Sequence, residues 1–307
     1  MGNLKFYRDE PLFGLDIGHD SLKAMQIAGQ PGQPPVVAGY GLGTFDSSAI
    51  QNGVIIKPDS IASAVHNLFE QNLVGAISSR RVACSLPTSR TFSRLMKVPA
   101  LDHTAIEEAI RLEAEQYIPI PINSLYLDYE ITRQDDKEME ILLVAASKNI
   151  VDSYFKLFEA LSLEPVAFEP SINAASRLVK LQGEAEDQPA IIVDFGSVTT
   201  DIAVFDKTLL VASTVSSGGD NMTRAISEQL HLTPEQAVSL KNEFGIAYSE
   251  KQQRIVDAVK PQLESLVREI EKSIRYHAER TQSRNKITRI ITVGGGSIMP
   301  GFDQYLS

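Results

Sequence analysis

Leu15-Asp16-Ile17-Gly18-His19-Asp20-Ser21-Leu22-Lys23, near the start of the chain, is echoed by Val193-Asp194-Phe195-Gly196-Ser197-Val198-Thr199-Thr200-Asp201. In each stretch an Asp is followed two residues on by Gly and then by hydroxyl side chains. Each is preceded by an apolar strand start, Leu12 to Leu15 or Ala190 to Val193. Each is followed by a second apolar run, Ala24 to Ile27 or Ile202 to Phe205. Strand, glycine-containing turn, strand reads as a β-hairpin. The two aspartates lie 178 positions apart (194 minus 16), too far for a solenoid repeat and suited to a duplicated domain whose halves face each other as a clamp.

Working outward, Ile61, Ala64, Val65, Leu68 and Phe69 mark one helix face, and Leu263, Leu266, Val267, Ile270 and Ile274 another. Strands and helices alternate, so the fold class is α/β. Helix boundaries are written in capping chemistry. Thr233-Pro234-Glu235-Gln236 pairs an N-cap Thr with Pro at the first helical position and a capping-box Gln, and Gly245 stands where a C-terminal cap belongs. Thr104 to Glu107 reads as a second capping box. Gly29 to Pro35 is a turn-rich loop, and Gln182 to Pro189 reads as the exposed connector before the second lobe.

A nucleoside triphosphate presents many oxygens at once, and a tight turn offering backbone N–H groups with a hydroxyl or Lys satisfies them. Gly18, Ser21 and Lys23 are the candidate phosphate contacts in the first turn; Gly196, Thr199 and Thr200 are those in the second. Asp16 and Asp194 open the turns, where carboxylates hold Mg²⁺ through its retained waters. A single Asp-x-Gly is more often only a hairpin turn. A third element adds weight: the strand Arg289 to Val293 runs straight into Gly294-Gly295-Gly296-Ser297, then Pro300-Gly301. Strand, glycine turn, helix start is how a backbone comes close to a nucleoside or phosphate.

These three elements, in this order, resemble the phosphate-1, phosphate-2 and adenosine signatures of the actin/heat-shock-chaperone/sugar-kinase superfamily. The resemblance implies an actin-like ATPase fold of two duplicated ribonuclease-H-like lobes binding ATP or ADP with Mg²⁺. It casts Gly218-Gly219-Asp220 as the loop that reaches phosphates or ribose, and Lys241 with Glu243 as flanking adenine and ribose. As a residue alone, Lys241 reads equally as a solvated helix charge. Glu169, before Pro170, occupies the segment that in relatives carries a water-orienting acid, and is the candidate catalytic residue; read alone it is a structural connector.

The stretch from Val82 to Pro165 runs strand, Leu86-Pro87, Val98-Pro99, the helix Ala105 to Tyr117, Ile118-Pro119-Ile120-Pro121, further strands and the helix Ile150 to Leu161. It reads as a small α+β insert in the first lobe and resembles the extra subdomain shared by the PilM family of type IV pilus assembly proteins and the division protein FtsA. Leu4 to Lys23 and Glu169 to Arg177 lean toward the PilM family. The expected layout is 1–82 with 166–187 as the first lobe core, 83–165 as the insert, 188–215 with 285–307 as the second lobe core, and 216–284 as its outer subdomain.

The resemblance implies a cytoplasmic scaffold, peripheral to the inner membrane through its partner, that binds the N-terminal cytoplasmic peptide of a PilN-type membrane protein and closes its lobes on nucleotide, with at most slow hydrolysis. It also admits pilus motor ATPases or self-association as further contacts. The alternatives are an FtsA-like filament-forming membrane tether, expected to carry a terminal amphipathic helix, and a sugar kinase, for which no sugar-binding signature is visible. A chaperone is expected to continue past the adenosine motif, where this sequence has only Phe302 to Ser307. His19 stands in the first phosphate turn where relatives carry a small residue.

Composition agrees. A net charge of −10 argues against a nucleic-acid backbone as partner and against direct adsorption to an anionic membrane. The single cysteine, Cys84, allows no internal disulfide and suits a reducing compartment. The start Met1-Gly2-Asn3-Leu4-Lys5-Phe6 lacks a signal-peptide core, and Phe6 stands where a myristoylation signal needs Ser or Thr. The sequence has no Gly-x-x-x-x-Gly-Lys-Ser/Thr loop, and its five histidines have no paired metal-ligand spacing.

Overall fold

A computed structural model describes residues 11–29, 34–100, 103–180, 188–281 and 286–307. The expected loop at Gly29 to Pro35 and the connector at Gln182 to Pro189 lie largely outside them, as does the side chain of Thr104. The chain forms two compact units, one of residues 1–90 and 146–171, the other of 91–145 and 172–307.

The first unit opens with β1 (Phe13–Ile17), β2 (Ser21–Ala28) and β3 (Val36–Thr44), followed by a small hairpin of β4 (Ile50–Gln51) and β5 (Val54–Ile55). Helix α1 (Pro58–Gln71), β6 (Leu73–Gly75) and β7 (Arg81–Leu86) come next. The second unit contributes β8 (Thr91–Pro99), α2 (His103–Tyr117), β9 (Leu125–Gln134) and β10 (Glu138–Ser147), after which the chain continues through α3 (Lys148–Ala160) and β11 (Glu164–Pro170). Then follow α4 (Ser171–Lys180), β12 (Ala190–Phe195), β13 (Thr200–Asp206), β14 (Thr208–Val215), α5 (Gly219–Leu230), α6 (Pro234–Phe244), α7 (Gln252–Thr281), β15 (Arg289–Val293) and α8 (Phe302–Leu306).

The six-stranded sheet runs β11-β7-β1-β2-β3-β6, with β1 parallel to β7, β7 parallel to β11, and β1-β2-β3 antiparallel. The seven-stranded sheet repeats that scheme: β14-β13-β12 antiparallel, then β15 parallel to β12. The duplication expected from the two Asp-x-Gly turns is therefore visible in strand order and direction. On its other side β14 meets β8 through Val211 and Arg94, and β10 and β9 complete the sheet.

The insert is thus narrower than 83–165. Strand β7 lies inside the first sheet, between β11 and β1, and α3 packs into the first core, because Val82, Cys84, Leu86, Ile150, Tyr154, Leu157 and Phe158 share one apolar cluster. Residues 91–145 carry their own cluster, with Ile106, Ile110 and Ala114 of α2 against Met139, Ile141 and Leu143 of β10.

Helix α1 approaches β3 closely because that strand shows glycine inward: a Cβ on Gly41 would stand 2.8 Å from Leu68 Cδ2. The α6 boundaries match the capping reading, with Gln236 N–H donating to Thr233 Oγ1, the Gln236 side chain accepting from Thr233 N–H, and Gly245 at φ +49°. Helix α2 differs, starting at His103, so Thr104 lies inside it rather than before it. No helix among the described residues is long and apolar enough to cross a membrane.

Candidate functional site

In the first unit the turn between β1 and β2 is closed by Gly18 N–H donating to Ser21 O at 2.8 Å. Lys23 lies opposite Asp16 in the ladder, and its ammonium sits 2.8 Å from Asp16 Oδ2. Ser85 Oγ donates to the other carboxylate oxygen at 2.5 Å, and Ser85 is the register partner of Glu169 on β11. Glu169, Ser85 and Asp16 therefore form one row at the C-terminal ends of three parallel strands, where ligands of open α/β sheets bind, and Lys23 of antiparallel β2 continues it. Ser85 has no role in the sequence reading; its signal was a hydroxyl at the end of a strand, just ahead of Leu86-Pro87. His19 is exposed in the turn. Cys84, on the opposite side of β7, is buried, and burial pushes its thiol well above the ordinary range.

In the second unit, four separated pieces of chain meet. The turn after β12 is closed by Gly196 N–H to Thr199 O at 3.0 Å. The start of α5 is tied to it, with Gly219 N–H donating to Gly196 O at 3.0 Å and Asp220 N–H to Ser197 O at 2.8 Å. Only glycine permits this approach, since a Cβ at Gly218 would stand 2.5 Å from the Ser197 carbonyl. Lys241 reaches in from α6, donating to Gly219 O at 3.0 Å and Thr223 Oγ1 at 2.8 Å. Desolvation lowers the Lys241 pKa, and the Asp220 carboxylate partly opposes that shift. Thr223 was missed in the sequence, although it stands one helical turn after Gly219, whose carbonyl its own hydroxyl also reaches.

The fourth piece is Gly294 to Ser297. Gly294 has φ +83°, and a Cβ there would run into Asp194 and Phe195. Gly296 is held against the Phe195 ring, 2.6 Å from where its Cβ would be. Ser297 Oγ donates to Gly294 O at 2.7 Å, which shapes the turn. Gly295 differs from both: among the described residues nothing lies within 4 Å of where its Cβ would be. A backbone segment pinned on both sides and open in the middle offers a ligand an unshielded peptide surface.

Thr200 departs from the expectation. It is 2% exposed and its hydroxyl donates to Ser217 O at 2.7 Å, so it ties the hairpin to the approach of α5 instead of presenting an oxygen to a ligand. The other second-unit candidates (Asp194, Gly196, Thr199, Gly218, Gly219, Lys241 and Gly294 to Ser297) belong to one connected region. Asp16 and Asp194 lie in different units.

The profile of the type IV pilus assembly protein PilM family matches residues 14–307. The chain belongs to that family. Among solved structures, a PilM-PilN type IV pilus biogenesis complex superposes with TM-score 0.83 at 23% identity, covering 97% of this chain and 85% of that one. MreB5 of Spiroplasma citri bound to AMPPNP gives 0.58 at 11% identity, covering 98% and 89%. These likenesses speak for the fold, which is actin-like. Cell division protein FtsA of Bacillus subtilis is 25% identical over 268 residues, covering 78% of this chain and 59% of the relative. FtsA of Enterococcus hirae is 26% identical over 262 residues, covering 78% and 58%. The chain spans less than two thirds of the length of these two relatives.

Proposed function

We propose that the chain binds ATP or ADP and serves as a scaffold in type IV pilus assembly, held at the inner membrane by the N-terminal cytoplasmic peptide of a PilN-type protein. The observation that carries the nucleotide reading is the convergence of the 196–199 turn, the α5 start, Lys241 and the open Gly295 peptide in one region of the second unit. Gly196, Gly218 and Gly219 leave room for the phosphate oxygens beside the turn, their own N–H groups being donated within the protein, and Thr199 offers a hydroxyl. Gly294 to Ser297 takes the adenosine, with Lys241 beside the ribose.

The first unit's turn would add Gly18, Ser21 and Lys23 to the phosphates, Lys23 being paired with Asp16 in their absence. Asp16 and Asp194 are the residues that would hold Mg²⁺ through its waters. Glu169, in the same row as Asp16, orients a water for slow hydrolysis. The relative solved with AMPPNP supports a nucleotide ligand, and the PilM-PilN complex supports the partner.

The partner is tested by fluorescence anisotropy with a labelled N-terminal PilN-type peptide, with and without Mg-ATP. Saturable binding whose midpoint changes with nucleotide supports a scaffold in which nucleotide closes the two units and peptide reads the closure. Absence of peptide binding in both conditions removes the pilus partner. The FtsA similarity favours one second reading, a filament-forming membrane tether; ATP-dependent assembly on lipid vesicles, seen by electron microscopy, would move the assignment there.

A further inference from the structure

The two most exposed large apolar side chains among the described residues are Tyr248, at 95%, and Ile298, at 85%. Both belong to the second unit, and the segments that carry them are bonded together: past the α6 C-cap, Ile246 N–H donates to Pro300 O at 2.8 Å. Tyr248 stands two residues after Ile246, and Ile298 two before Pro300. Glycine permits the approach from both sides, since a Cβ on Gly245 would run into Pro300 and one on Gly301 would stand 2.5 Å from Ala247 N. A single exposed apolar side chain is ordinary on a protein surface. Two on adjoining segments, beside the uncovered peptide of Gly295, are a feature of the site.

Backbone geometry puts Ile298 and Gly295 on one side. Gly295–Ile298 is a short 3₁₀ helix, and in a helix of three residues per turn the positions i and i+3 eclipse. Ile298 therefore stands over the direction in which Gly295 is bare. Its neighbours are held inward: Ser297 Oγ donates to Gly294 O, Met299 is buried, and the buried Phe302 ring lies 4.8 Å from that of Phe195. Met299 and Phe302 bury their apolar groups in the core, and Ile298 between them and the turn does not.

We infer that Ile298 and Tyr248 are the specificity-determining side chains of the base subsite and hold the nucleobase by its faces, so that the chain takes purine nucleotides as a class, guanine as well as adenine. The inference rests on the nucleotide reading above and names which bases that site accepts. An isoleucine branch and the face of a phenol ring present no donor or acceptor to the exocyclic groups that distinguish one purine from the other. Stacking on such groups tolerates the identity of the base, because every base has a π-face. The polar side chains around the turn are engaged within the protein, Ser297 on Gly294 O and Lys241 on Gly219 O and Thr223 Oγ1. What the two apolar groups do read is the size of the ring: a two-ring purine covers more of them than a one-ring pyrimidine.

The test is calorimetric titration of the full chain with the Mg²⁺ complexes of ATP, ADP, GTP and CTP, repeated with Tyr248→Ala and Ile298→Ser. Both positions are exposed, so both variants are expected to keep the melting temperature. The unaltered chain is expected to bind ATP and GTP within about threefold of each other and CTP at least about tenfold more weakly. Each substitution is expected to weaken ATP, ADP and GTP by one common factor of about five or more, leaving the ratio of ATP to ADP affinity where it was, because the phosphate contacts are untouched. GTP bound more weakly than that limit, CTP bound as tightly as ATP, or ATP affinity unchanged in both variants would overturn the inference and leave the nucleotide reading standing. No binding of any nucleotide would overturn that reading and the base subsite with it. Self-association of the chain that Ile298→Ser abolishes in sedimentation, with nucleotide affinity unchanged, would assign the pair to a contact between copies and overturn the inference as well.

Discussion

Gly295→Val separates ligand binding from folding more cleanly than any other substitution in the glycine turn. Its neighbours are fixed by protein: a Cβ on Gly294 meets Asp194 and Phe195 at φ +83°, and one on Gly296 meets the Phe195 ring at 2.6 Å. At Gly295 an added Cβ meets nothing within 4 Å among the described residues, and its φ lies outside the left-handed region. The folded chain therefore accommodates valine, and stability changes by no more than about 0.5 kcal/mol, as at an ordinary surface position. A nucleoside seated against that peptide is pushed outward by the isopropyl group. Losing the packing of roughly two methylenes at about 0.8 kcal/mol each gives about 1.6 kcal/mol, or at least a tenfold rise in Kd. Calorimetric titration with Mg-ATP reads the affinity and differential scanning fluorimetry the stability. Unchanged affinity with an unchanged melting temperature would refute placing adenosine on this turn; a fallen melting temperature would refute the open-space argument itself.

Other expectations follow from single contacts. Gly218→Ala drives a methyl into the Ser197 carbonyl and should cost about 1–3 kcal/mol of stability by overpacking, lowering the melting temperature and the ATP affinity together. Tyr154→Phe removes a buried hydroxyl with no hydrogen-bond partner among the described residues, so urea unfolding should show unchanged stability or a gain of up to about 1 kcal/mol. Thr233→Ala removes the α6 cap and should cost about 1 kcal/mol, read from the same curves. Lys241 titrates below its ordinary range when folded, so the unfolded chain binds the proton more tightly between the folded value and the usual lysine value. Its contribution to stability therefore rises as pH increases through that window, and Lys241→Met should flatten the melting-temperature slope on the alkaline side.

Much of the fold was legible because the signals were local. Two Asp-x-Gly turns between apolar strands, the Thr233 to Gln236 capping box and the Gly294 to Gly296 run each report their own conformation. What escaped the sequence was set by distant partners. Thr200 reads as one more hydroxyl in a phosphate turn, and only the position of the Ser217 carbonyl, 17 residues on, turns it inward. Ser85 gains its place from Asp16, 69 positions earlier. The junction of β14 with β8 rests on a pairing between Val211 and Arg94 that no periodicity announces, and it moves residues 91–145 into the second unit. Strand β2 is ambiguous by composition, because Leu22, Ala24, Met25 and Ile27 put apolar groups on both faces. Gln26 resolves it by being buried, its amide oxygen accepting from Ser78 and Ser79 N–H.

The most direct test of the central claim is a calorimetric titration of the full chain with Mg-ATP, repeated after saturation with the PilN-type peptide. The account predicts one saturable site per chain, with an affinity that shifts when peptide is already bound. No heat of binding with either nucleotide, ATP or ADP, would contradict it and leave the glycine turns as structure alone.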